Sequence, residues 1–114
     1  FFINTTGWGY GLYRGMDGGA WILPYTGRWT LAPTIFYTFS GDEAAYSRWI
    51  DWSQRASGMS TCEDAFWDLV EEAELTYLYV HRGTNGIQAS ELINCTCVEK
   101  LFDDNDTSIW LIDN

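Results

Sequence analysis

Two stretches of the chain carry the period of amphipathic helices. Ala45, Trp49, Trp52 and Ala56 recur at intervals of four, three and four, which sets them on one helical face. Ser40 and Glu43 precede them with capping-box spacing, the hydroxyl accepting a first-turn N–H while the carboxylate reaches back. Gly58 follows as a stop. A second helix is expected to start within Ser60–Glu63 and to bury Phe66, Leu69, Val70 and Ala73. Its other face carries Asp64, Asp68, Glu71 and Glu72, the pattern of a solvated face rather than of a metal or cation site. Glu72 and Glu74 fall near its C-terminal end, where negative charge opposes the helix dipole, so propensity alone does not account for them.

The remaining apolar runs read as strands. Phe1 to Thr6 is expected to be a first, buried strand, and Leu75 to Val80, apolar on both faces, a central strand covered on each side. Arg28 to Phe39 is β-prone, with Pro33 confining its middle to an end or an edge. Ala20 to Tyr25 is a short apolar piece stopped by Pro24, His81 to Gly86 a loop, and Ala89 to Leu92 a helical turn. Cys95 to Phe102 and Thr107 to Ile112 flank Asp103 to Asp106 as an antiparallel hairpin closing the chain. Together these elements predict an α/β fold: residues 1–114 as a single domain, with a mixed β-sheet flanked by helices and a C-terminal antiparallel hairpin.

Composition narrows the setting. With 46% hydrophobic residues and only 2 prolines the chain should be globular rather than disordered. A net charge of -10 with 6 Lys+Arg leaves no basic face for nucleic acid and none for an anionic membrane surface. No apolar window approaches the ~18 residues of a membrane span. The chain lacks an initiator Met and opens directly on the strand-like "FFIN", which reads as a domain excised from a larger protein. Its 3 cysteines cannot all pair within one chain. Cys95 and Cys97 share a strand face and cannot bridge each other comfortably; either can meet Cys62, or all serve as small buried hydrophobes. Zinc would need a fourth ligand, and His81 is the only histidine, so no metal and no cofactor is expected.

The segment from Gly7 to Thr30 interleaves glycine with large rings and has no hydrophobic period. It is not a dinucleotide fingerprint, because Leu12 or Arg14 stands where the third glycine is required. The tail Asp103 to Ser108 lacks the central glycine and distal Glu of a calcium loop, and no glycine-flanked nucleophile elbow accompanies His81. A glycosidase pair could be drawn from Asp17 with Asp42 or Glu43. What remains is a set of rings and charges suited to sugar faces and hydroxyls: Trp8, Tyr10, Tyr13, Arg14, Asp17, Trp21 and Arg28 are the candidate binding residues. The competing reading has Trp8, Trp21 and Trp29 plugging the ends of a small core. The binding reading expects Asp17 to pair with Arg28 or Arg14, with Trp21 and Trp29 buried and Trp8, Tyr10 and Tyr13 partly exposed as a patch. Asn4, Asn94 and Asn105 each open a glycosylation triplet, of a kind that also arises by chance.

The stretch "GLYRGMDGGAWILPYTGRWTLAP", two helices, "LTYLYVHRG" and a closing "SIWLID" resemble the C-terminal extracytoplasmic domain of large prokaryotic polytopic membrane proteins of the glycosyltransferase-like, C-type-fold class. Asp17-Gly18-Gly19-Ala20-Trp21 with Gly27-Arg28, and Tyr77 to Val80, carry most of that resemblance. It implies a place on the extracytoplasmic face of the cell membrane. The implied partners are the transmembrane portion of the same polypeptide and a glycan or lipid-linked sugar. In that family the membrane helices and their first outer loop carry the catalytic carboxylates, so the resemblance implies a non-catalytic domain and transfers no catalytic residue. The alternative is a self-contained secreted carbohydrate hydrolase using Asp17 and a partner. Membrane spans or a secretion signal upstream of Phe1 would tell the two apart.

Overall fold

The computed structural model describes residues 1–9, 12–15, 19, 22–31, 43–82 and 86–113. Its main sheet joins β1 (Phe2–Ile3), β4 (Tyr77–His81), β6 (Thr107–Ile112) and β5 (Val98–Asp103), in the order β1-β4-β6-β5. β1 runs parallel to β4, with Phe2 opposite Leu78, while β4–β6 and β6–β5 are antiparallel. The sheet is therefore mixed, the fold is α/β, and the chain closes on the expected hairpin.

β4 is interior, between β1 and β6, but its two faces differ. Leu78 and Val80 are buried, whereas Tyr77 and Tyr79 on the other face are half-buried. α3 (Asp64–Glu72) supplies the cover on the buried side, placing Phe66, Leu69 and Val70 in one core with Phe2, Ile3, Leu78 and Trp110. Ala73 is only partly buried, because it lies just past the helix end. The helix starts at Asp64 rather than within Ser60–Glu63, and extended Glu63 provides no side-chain cap. Cys62 just before it is bonded to Cys95, with Cα atoms 6.3 Å apart, and Cys97 is left as an exposed free thiol.

α2 (Glu43–Ser57) buries Ala45, Ser53 and Ala56, and its chain turns away where the Gly58 N–H donates to the Arg55 carbonyl. Trp49 and Trp52, expected in the same buried stripe, are half-buried. Ser40 of the expected capping box lies outside the described residues.

The greatest departure is at the N-terminus. The first strand breaks at Asn4: β1 stays in the main sheet, and the chain continues as β2 (Thr5–Gly9), paired antiparallel with β3 (Leu12–Gly15) in a separate hairpin. The glycine-aromatic segment thus begins as paired strand, with Thr6 opposite Arg14 and Gly7 opposite Tyr13. Glycine hides the period of two, since a side chain is missing where one would mark the alternation. The hairpin lies on α2, where the Thr5 hydroxyl donates to the Ser53 carbonyl at 2.6 Å. Asn4 makes the break possible: its Nδ2 donates to the Ile87 carbonyl and its Oδ1 accepts the Ile87 N–H, both at 3.0 Å.

Pro24 does not stop the next apolar piece. It sits inside the short α1 (Ile22–Thr26), in a first turn where no intrahelical N–H is required of it. Gly27, at φ +72°, then ends the helix, its N–H donating to the Leu23 carbonyl. Residues 28–31 are not a strand; Leu31 is fixed instead through its N–H to the Phe1 carbonyl at 3.1 Å. The rest of the expected β segment, residues 32–39, lies outside the described residues.

α4 (Ala89–Leu92) is the expected helical turn. In the β5–β6 turn, Asp103 accepts the Asn105 N–H, and Asp104 accepts the N–H groups of Asp106 and Thr107. These carboxylates shape a turn. No helix among the described residues is long and apolar enough to cross a membrane.

Candidate functional site: an aromatic groove

Where the chain enters the two parallel strands, just before β1 and just before β4, it leaves an open groove of about 360 Å³. Phe1, Trp29, Trp49, Trp52, Glu74 and Leu75 form most of its lining. Trp29 is 62% exposed, although its burial was expected. The physical reason lies in its neighbours. Thr30 and Leu31 take the buried positions, while the Trp29 carbonyl accepts a hydrogen bond from the Phe1 nitrogen at 2.8 Å. The indole is left outside, stacked on Trp49 with centroids 6.2 Å apart and planes 16° from parallel.

Trp52 is held from below. Its Nε1–H donates to Glu72 Oε1 at 3.0 Å, and Glu72 Oε2 accepts from Arg55 at 2.7 Å. Arg55 also reaches Asp51 at 3.2 Å, and Arg48 lies 5.8 Å from the Trp52 ring centroid. Glu72, set against the dipole of its own helix, is thus the acceptor that orients an indole of another. Hydrogen bonds from Arg55 first, and from Trp52 second, hold its carboxyl below the usual glutamate range.

A carboxyl with a lowered folded pKa stabilises the fold above its unfolded pKa and loses that contribution as pH falls through the folded value. Urea midpoints of the unmodified chain and of Glu72→Gln should therefore differ at about pH 6 and converge towards about pH 3. A gap that persisted unchanged into acid would mean that the carboxylate charge is not what orients Trp52.

A second, polar cleft of about 530 Å³ lies past the carboxyl end of β4, with Arg82, Gln88, Ser90, Asp106 and Thr107 among its lining. Asp103, also on its wall, is engaged by the Asn105 N–H and by Lys100 at 3.0 Å. Among the described residues, no group of three or more His, Cys, Asp or Glu is placed to hold a metal ion.

Of the residues singled out in the sequence, Tyr13 is half-buried on β3, and Arg14 and Arg28 are exposed. Trp8 contributes its backbone to β2. Its side chain, together with Tyr10, Asp17 and Trp21, lies outside the described residues, and so do the expected pairing of Asp17 and burial of Trp21. For Trp29, Trp49 and Trp52 the sequence predicts packing positions. Their one signal in the sequence is Glu72, an acid with no local reason to be there, on the helix that packs beside the Trp49/Trp52 stripe. His81, the last residue of β4, sits with Nδ1 2.9 Å from the Arg82 carbonyl, a contact that requires this nitrogen to donate.

Compared with protein-family models, curated proteins and solved structures, the chain matches none of them.

Proposed function

We propose that this chain is a non-catalytic recognition domain that holds a glycan or lipid-linked sugar, serving the membrane-embedded part of a glycosyltransferase-like protein on the extracytoplasmic side. The observation that carries the reading is Trp29: an indole 62% exposed, yet fixed by a stacked neighbour and by its main-chain bond to Phe1. Exposed rings held in one orientation are what stacking on the apolar face of a pyranose requires. Leaving such surface in water is unfavourable unless a ligand or partner covers it. The Cys62–Cys95 bond supports an oxidising compartment, as the extracytoplasmic reading needs.

The test is a tryptophan-fluorescence titration with tetrasaccharides of glucose, mannose, galactose and N-acetylglucosamine. At least one should bind, and Trp29→Ala should weaken it about tenfold or more, the scale of one aromatic contact of ~1.4 kcal/mol. The denaturation midpoint should hardly move, because the ring lies outside the core. No binding across the set, or a large loss of stability on substitution, would return Trp29 to the packing reading.

A further inference from the structure

Glu74 breaks two local rules at once. It follows the C-cap of α3 at φ +51°, a left-handed position that glycine fills at least cost, and it sets a negative charge at the negative end of the helix dipole. Its main chain does the work of a helix terminus, the N–H donating to the Glu71 carbonyl at 3.3 Å. Gly or Asn would do that work with less strain. Unlike Glu72, which is engaged by Trp52 and Arg55, the Glu74 carboxylate has no partner among the described residues. It belongs to the lining of the groove, beside Phe1, Trp29, Trp49 and Trp52. A residue kept against its local preferences, at the wall of a candidate site, points to a use in that site.

We infer that the sugar taken by this groove is cationic, an amino sugar with a free amine, its ring on Trp29 and its ammonium group against Glu74. The inference rests on the glycan reading above and adds the charge of the ligand. Aromatic faces attract cations through their quadrupole, and a carboxylate beside them supplies the opposite charge. Arg48 shows the first half of this chemistry already at work on Trp52. Glu74 is the only acidic side chain in the groove lining among the described residues. An anionic sugar, by contrast, would meet Glu74 with no basic side chain among the described lining residues to offset it.

Calorimetric titration with a glucosamine tetramer and its N-acetylated counterpart, at one ionic strength, tests the assignment. The free amine should bind about tenfold tighter than the acetylated form, and Glu74→Gln should bring the two affinities together. Glu99→Gln makes the same charge change on the edge strand β5 and should leave the preference in place, which separates Glu74 from general attraction to an acidic chain. Glu74→Gly should raise the urea midpoint while weakening the amine form, the signature of strain kept for function. Equal affinities in the unmodified chain, or a preference erased equally by Glu99→Gln, would overturn the inference. The glycan reading would then survive if the acetylated tetramer still bound through Trp29. Binding of neither tetramer, nor of any neutral tetrasaccharide, would overturn both.

Discussion

Replacing Phe66 by Ala is expected to lower the unfolding free energy by about 3–5 kcal/mol, the cost of removing a fully buried aromatic ring. Phe66 is completely buried in α3. It meets Phe2 of β1 edge-on at 5.4 Å between centroids, and Trp67 of its own helix at 4.9 Å. Its ring therefore spans the contact between the helix and a strand only two residues long. So short a strand has few ladder bonds of its own, and side-chain packing from α3 must hold it against β4. Leu69→Ala, from the same stripe, should cost about 2–5 kcal/mol, because Leu69 is fully buried as well. Urea denaturation with the Cys62–Cys95 bond intact would measure both. A loss below ~1 kcal/mol for Phe66→Ala would mean that α3 does not pack on the sheet as described. A loss in the expected range with the m-value unchanged would place the effect in the folded core.

The elements that proved legible in the sequence share one property: their side chains report their own pattern. Phe66, Leu69 and Val70 repeat at helical spacing and are buried. β6 alternates strictly, with Ser108, Trp110 and Ile112 inward. The turn between β5 and β6 is built from aspartates that accept backbone N–H groups, as their residue types suggest. What escaped was written in absences or in distant partners. The β2–β3 hairpin was hidden because Gly7 offers no side chain to mark which face it is on. The break at Asn4 depends on Ile87, 83 residues away, and no local pattern contains that information.

The groove was missed for a related reason. Trp49 and Trp52 fit a buried helical stripe by spacing, and spacing does not distinguish a core face from the wall of an open groove. Burial is expected of Trp29, yet Thr30 and Leu31 take the buried positions. Of the two acids that oppose the helix dipole, Glu74 lines the groove and Glu72 holds Trp52 of its lining. Local misfit was the better guide to the site than hydrophobic pattern.

The other large effect should come from the pair Asn4 and Gly86. Asn4 is 5% exposed, and its amide satisfies both the N–H and the carbonyl of Ile87. Asn4→Ala would strand two buried main-chain groups, at about 1–3 kcal/mol each, and so is expected to cost about 2–6 kcal/mol in all. Asn4→Asp should be at least as damaging at neutral pH, since a carboxylate oxygen would face the Ile87 carbonyl in place of the amide donor. Burial raises the pKa of such an aspartate, and the protonated acid can donate where the amide did. A folded pKa above the unfolded one means stability present at low pH and lost as pH rises through the folded value. Asn4→Asp should therefore recover relative to Asn4→Ala on going from about pH 7 to about pH 4. Gly86 explains why the clamp closes so tightly. At φ +105°, a Cβ there would lie 2.5 Å from the Asn4 Oδ1 and 2.7 Å from its Cγ. Gly86→Ala must expel the same amide, so the two substitutions compete for one interaction, and the double variant should cost clearly less than their sum. The effect should reach the groove as well, because β1 is fixed by this clamp at one end and receives the Leu31 N–H at the Phe1 carbonyl at the other. A double-mutant cycle read by urea denaturation, with intrinsic tryptophan fluorescence compared with and without Trp29→Phe, would measure both. Strict additivity, or a neutral Gly86→Ala, would show that Asn4 does not hold Ile87 in solution, and the break between β1 and β2 would then need another cause.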